Sequence, residues 1–221
     1  MSALEDFFRQ IGIWNAEQGE ISKWQMYQAD SFDVEEFAHQ KLNMDPVARD
    51  ESGHETAEKI LCSKCSPISD NYRFGRDTSD LEYITDALRK YKTSEPIILF
   101  RGVCDVPMEK MVEAAKELDE DGIDFYEKGY MSCSLLKEKA SPYKYQFVIY
   151  VPPFNHVMYA GHCNDEEEPE CRYECIIMRG SKLKLLKQEK DTYYCILEST
   201  EEEKSEHPRN LFFNCIDTPL R

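Results

Sequence analysis

Residues 170–180 read ECRYECIIMRG, which sets one carboxylate, Glu174, directly before the apolar run Cys175-Ile176-Ile177-Met178 and closes on Arg179-Gly180. A short apolar run bounded by polar residues and glycine has the length of a buried strand and is too short for a helix. A charged residue at its entrance therefore needs a reason. Working outward, the same pattern recurs from Pro96 onward: PIILFRGV, YMSCSL, QFVIYVP, VMYAG, KLKLL and YYCILES are further β-type runs separated by loops. The first ninety residues differ. Residues 3–14 and about 23–41 carry apolar side chains at helical spacing, with Asp33-Val34-Glu35-Glu36 as an acidic helix start. Residues 45–56 read as a polar loop. SDLEYITDALRKY (79–91) is an amphipathic helix capped by Ser79 or Asp80, with Leu81, Ile84, Leu88 and Tyr91 on one face, and 107–119 is another helix. Helices first and many short strands later predict an α+β fold rather than alternating βαβ units.

The chain has 221 residues, enough for one elaborated domain, and with no evident linker a single domain spanning 1–221 is expected. Its net charge of −16 disfavours duplex nucleic acid as a partner, because a phosphate backbone is repelled by an acidic surface without a basic patch. The start, MSALEDFFRQ, lacks the basic segment and apolar run of an export signal, and no stretch of about eighteen apolar residues occurs. Nine cysteines, an odd number at irregular spacing, fit free thiols in a reducing compartment; a cytoplasmic setting, in its own cell or a host cell, is expected. Cys62-Ser63-Lys64-Cys65 is the one CxxC, and without a second ligand pair it reads as two free cysteines rather than half a zinc site.

Three polar elements stand at strand ends in a fixed order: Arg101-Gly102 after IILF, Ser132-Cys133-Ser134 after Tyr130-Met131, and Glu174 before CIIM. Between and after them come Val151-Pro152, Met158-Tyr159-Ala160-Gly161 and Arg179-Gly180-Ser181-Lys182-Leu183-Lys184. This ordered set, over about residues 79–200, resembles the arginine-serine-glutamate class of mono-ADP-ribosyltransferases, the family of clostridial binary toxins and related exoenzymes.

The resemblance implies a fold of two small, roughly perpendicular antiparallel sheets forming an NAD cleft, with N-terminal helices: residues 1–75 the mainly helical part, 76–221 the catalytic core. It implies NAD as co-substrate, no metal, release of nicotinamide, and transfer of ADP-ribose to a macromolecular acceptor, in an effector or toxin. Glu174 is then the catalytic carboxylate, Ser132 the residue that orients it, and Arg101 the diphosphate grip. These assignments match the chemistry, since a carboxylate stabilises an oxocarbenium-like ribose and a guanidinium grips phosphate with several donors. Gly102, Ser134 and Tyr143 are implied in NAD binding, with Lys144 as an added phosphate contact. Cys133 replaces the threonine usual between the two serines.

One departure is larger. Arginine-modifying relatives carry glutamate two residues before the catalytic one, and asparagine-modifying relatives tend to carry glutamine; this chain has Arg172. Arginine cannot act as a general base at neutral pH, so an arginine acceptor is disfavoured. Arg172 and Tyr173 are the expected acceptor-recognition residues. The carboxylates of the adjoining segment NDEEEPE (164–170) favour a basic acceptor surface, whereas Arg172 favours an acidic one. His156 and His162 lie near the expected site. An NAD glycohydrolase, with water as acceptor, and a silent NAD-fold module that binds a basic partner are the alternatives.

Overall fold

The computed structural model describes residues 28–30, 33–42, 49–104, 108–119, 121–161 and 173–200. Four α-helices lie among them: α1 (Val34–Leu42), α2 (Ala57–Arg73), α3 (Glu82–Leu88) and α4 (Glu109–Ala115). The strands are β1 (Ile97–Val103), β2 (Ile123–Glu127), β3 (Met131–Ser134), β4 (Tyr145–Val151), β5 (Val157–Tyr159), β6 (Glu174–Ile177), β7 (Ser181–Glu189) and β8 (Thr192–Ser199). Each of the β-type runs quoted from Pro96 onward forms a strand, and the α+β reading holds. None of the helices among the described residues is long and apolar enough to cross a membrane.

The strand order is β2-β7-β8-β4-β1-β3-β6-β5. All eight strands are hydrogen-bonded into one large sheet, and the two expected sheets correspond to its two halves. β1 pairs with β4 over seven residues, but its ladder to β3 is the single pair Phe100↔Ser134, so β2-β7-β8-β4-β1 and β3-β6-β5 meet at one seam. The ladders are antiparallel except β4–β8, which is parallel and so departs from the all-antiparallel expectation. Hydrophobic burial holds the larger half together. Phe147 of β4 stacks on Tyr193 of β8 with ring centroids 5.2 Å apart, and each fully buried side chain of this size contributes about 1.5–3 kcal/mol.

Two elements escaped the sequence reading, and one helix start was misplaced. α2 contains Pro67, which reads as a helix breaker; the chain accommodates it with a kink, Lys64 taking φ −132° and ψ 25°. The helix is started by Thr56, whose hydroxyl accepts from the Lys59 N–H at 3.4 Å. β2, IDFYE, carries two carboxylates in five residues, and it sits at one end of the strand order. α1 begins at Val34, at the expected acidic start, whereas residues 28–30, within the apolar spacing over 23–41, are not helical. The cap of the 79–91 segment moves: a 3-10 turn at Ser79–Leu81 precedes α3, and Asp77 Oδ1, rather than Ser79 or Asp80, takes the Ser79 N–H at 3.0 Å. The expected helix over 3–14 lies outside the described residues.

α2 is tied to the sheet by a buried ion pair. Arg73 donates through Nε and Nη2 to both oxygens of Glu127 at 2.9 and 3.2 Å, and through Nη1 to Asp70 at 3.1 Å. Glu127, only 1% exposed, also accepts the Gly129 N–H at 2.7 Å. Ser69 Oγ donates to the Tyr130 carbonyl at 3.1 Å. These bonds fix α2 against the turn that leads into β3.

Candidate active site

The seam between the two halves brings the three polar elements together. β1 carries Arg101 and Gly102 one and two residues past the Phe100↔Ser134 pair; β3 carries Ser132 and Ser134; β6 begins at Glu174, whose Cα partner is Ser134. In that register Ser132 lies diagonally across from Glu174, on the same side of the ladder, within reach of a short bond. Ser132 Oγ donates to Glu174 Oε1 at 2.5 Å. Arg101 Nη1 donates to the Ser132 carbonyl at 2.8 Å, which fixes the guanidinium across the seam. Arg101, Ser132 and Glu174 are all half-buried, whereas Ser134 is 5% exposed and its hydroxyl accepts the Leu136 N–H at 3.2 Å.

Two adjoining cavities open here. One, about 210 Å³, is lined by Phe100, Arg101, Gly102, Ser132, Cys133, Ser134, Lys139, Ala140, Ser141 and Glu174. The other, about 220 Å³, shares Arg101, Gly102, Ser132 and Ser141 and adds Cys65, Ser66, Ser69, Arg73, Cys104, Tyr130 and Tyr143. The chain thus forms a two-lobed cleft with Arg101 at its waist. Gly102 is there for lack of a side chain: a Cβ would meet the Ser141 carbonyl oxygen at 1.9 Å and its carbon at 2.8 Å. The loop after β3 is held in place by Gln146, whose Nε2 donates to the carbonyls of Tyr143 at 2.6 Å and Ser141 at 3.2 Å.

Tyr143 lines the second lobe with 45% of its surface exposed, in the same cavity as Arg101 and Gly102. Lys139 lines the first lobe with Arg101, whereas the Lys144 ammonium lies 4.6 Å from the Tyr145 ring centroid and donates to the Tyr145 hydroxyl at 3.0 Å. Tyr173 is 9% exposed, its ring packed in the core under the Lys139 ammonium at 5.5 Å and its carbonyl accepting the Leu135 N–H at 2.9 Å, so it presents little surface to an acceptor. Arg172, His162 and the acidic segment 164–170 lie outside the described residues. His156 is removed from the chemistry: its Nδ1 pairs with the Tyr91 carbonyl at 3.1 Å.

Cys133 is 5% exposed and belongs to the core, paired across the ladder with Cys175. Burial pushes the thiols of Cys65 and Cys133 up to about 12, against the lowering effect of the nearby Arg101 guanidinium. Protonated, buried thiols of this kind are poor nucleophiles. Cys62 and Cys65 form no disulfide with each other, and among the described residues no cluster of His, Cys, Asp and Glu is arranged to hold a metal ion.

Cys65 drew notice only as part of the CxxC, and the residues that the sequence did not flag are Ser66, Ser69 and Arg73 of α2, together with Lys139 and Ser141. No local motif marks them. The α2 residues reach the cleft because the kinked α2 packs across the turn before β3, and Lys139 and Ser141 reach it from the loop after β3.

No protein-family model matches the sequence, and no curated protein matches it. Solved structures do match. The chain is similar to Plx2a, an ADP-ribosyltransferase toxin from Paenibacillus larvae, at 17% identity and a TM-score of 0.58, over 78% of this chain and 98% of that one. Its fold is that of the ADP-ribosyltransferase toxins. The Clostridium limosum C3 exoenzyme matches at 17% identity and a TM-score of 0.52, over 65% of this chain and 86% of its own. C3stau2 from S. aureus, solved with NAD, matches at 10% identity and a TM-score of 0.52, over 78% and 97%.

Proposed function

We propose that this chain is an NAD-dependent mono-ADP-ribosyltransferase of effector or toxin character, built as one domain. The observation that carries this reading is the 2.5 Å bond from Ser132 to Glu174, with Arg101 bonded across the seam, in a cleft of the ADP-ribosyltransferase toxin fold.

Breaking the bond between nicotinamide and ribose sends its electron pair to the ring nitrogen and leaves positive charge on the ribose. Glu174, oriented by Ser132 before the reaction begins, stabilises that charge where it develops, with no reorganisation during the step. Arg101 grips the diphosphate at the waist of the cleft, Gly102 and Tyr143 receive the nicotinamide end, and Ser134 sustains the strand end that carries the pair. The acceptor nucleophile then bonds to the ribose carbon and loses its proton.

The acceptor is a macromolecule, and we infer a protein. With Arg172 in place of a carboxylate, its modified residue is not arginine. Incubation with labelled NAD and a cell lysate is expected to yield labelled protein and an equal amount of free nicotinamide, with the modified residue identified by mass spectrometry. Nicotinamide release without labelled macromolecule would make the protein a glycohydrolase, and the absence of both would sink the proposal.

Gly102→Ala supplies a second check. The added methyl meets main-chain atoms of Ser141, which cannot rotate away, so the loop carrying Tyr143 must move. The KM for NAD is expected to rise at least about tenfold, as a displacement of about 1 Å in a positioning loop does. Steady-state kinetics against NAD measures it, and an unchanged KM would remove Gly102 from the site.

A further inference from the structure

β3 and β6 form a ladder of four pairs, Met131↔Ile177 to Ser134↔Glu174, and the alignment of Ser132 with Glu174 depends on that register. Side-chain character alone does not enforce it. A slip of two residues returns the same faces inward, yet moves one strand by about 7 Å along the other and breaks a 2.5 Å bond. Some register-specific contact must exclude the slip. At the far end of the ladder from Glu174, Tyr130 precedes β3 and Arg179 follows β6. Both converge on one hydroxyl of α3: Thr85 Oγ1 takes the Arg179 Nε–H at 3.0 Å and lies 2.8 Å from the Tyr130 hydroxyl. Thr85 is 0% exposed and Tyr130 1%.

The remaining groups close the network. Thr85 lies 3.3 Å from the Tyr72 hydroxyl, which in turn donates to the Leu81 carbonyl at 3.5 Å. With Thr85 accepting from Arg179 and Tyr130 and donating to Tyr72, each hydroxyl proton has an acceptor, the condition for a rigid buried network. The Arg179 guanidinium sits 4.4 Å from the Tyr72 ring centroid and reaches Glu82 Oε2 at 3.2 Å.

We propose that Thr85 and Arg179 are positioning residues: they clasp the end of β3 to the end of β6 on α3 and so hold the register that places Ser132 on Glu174. Neither lines the cleft lobes described above. The role in turnover rests on the NAD-cleaving reading, while the register itself does not.

The test is Thr85→Val, which keeps the shape and removes the hydroxyl, with Thr85→Ser as the conservative restoration and Arg179→Gln as an independent break. In nicotinamide release, Thr85→Val and Arg179→Gln are expected to lower kcat about tenfold with KM for NAD within about twofold, and Thr85→Ser to stay near wild type. In a Ser132→Ala background, Thr85→Val should change kcat by less than about twofold, because the bond it protects is already gone. Equal losses in both backgrounds, or a loss carried by KM, would reduce the clasp to general support of the fold and overturn the proposal. Amide exchange over 131–134 and 174–177 reads the ladder without turnover. It should accelerate about tenfold or more in Thr85→Val, beyond the exchange at β7 and β8. Unchanged exchange overturns the clasp even if the wild-type protein cleaves no NAD, so the two failures are distinct.

Discussion

Glu174→Gln is expected to lower kcat for nicotinamide release by about two to three orders of magnitude, while the KM for NAD stays within a few-fold. The substitution keeps the volume and leaves an oxygen to accept from Ser132, so the 2.5 Å contact survives in kind. What disappears is the negative charge. That charge matters little to bound NAD in its ground state and much to the oxocarbenium-like transition state, so the loss falls on kcat rather than on binding. Removing one preorganised electrostatic group costs about 10²–10³ in rate, which sets the size of the effect. Separate determination of kcat and KM, with NAD binding followed by calorimetry, checks it. A variant that turned over NAD at the wild-type rate would remove Glu174 from the reaction.

The second large effect is on stability. Arg73→Met breaks the ion pair that ties α2 to the sheet and leaves Glu127, 1% exposed, with its Gly129 N–H contact but without the guanidinium. A buried charge deprived of its partner costs about 3–5 kcal/mol, so denaturant unfolding of the variant should shift by that amount. The Arg73→Met/Glu127→Leu double variant should recover most of the loss, because the expense lies in the orphaned carboxylate rather than in the missing bond. If the double variant were as unstable as the single one, the pair would matter by its geometry and not by its charge balance. Since Arg73 also faces the second lobe of the cleft, both variants should be assayed for NAD binding at a temperature where they remain folded.

What the sequence revealed follows the range of the forces involved. β2 apart, the strands from Pro96 onward were legible because each is a local apolar run, and Arg101, Ser132 and Glu174 stood out because their order along the chain is specific. β2 was missed because its acidic residues mask a short apolar run. α2 was missed because Pro67 looks like a stop, and only tertiary packing makes its kink tolerable. Lys139 was passed over for Lys144, since adjacent loop lysines differ only in where the chain turns. Tyr173 sits beside Glu174 in sequence, and nothing local says that its ring folds inward under Lys139. The clasp on Thr85 joins residues 45 and 94 positions away along the chain, a separation no local pattern encodes.

The single pair Phe100↔Ser134 has a pharmacological consequence. Arg101 and Glu174 belong to opposite sides of that joint, so the groups that the proposed function assigns to gripping and cleaving NAD are held in alignment by it. If the chain acts as proposed, a compound that pries the joint apart would abolish that activity without resembling a nucleotide, and so without competing against the cell's own supply of NAD.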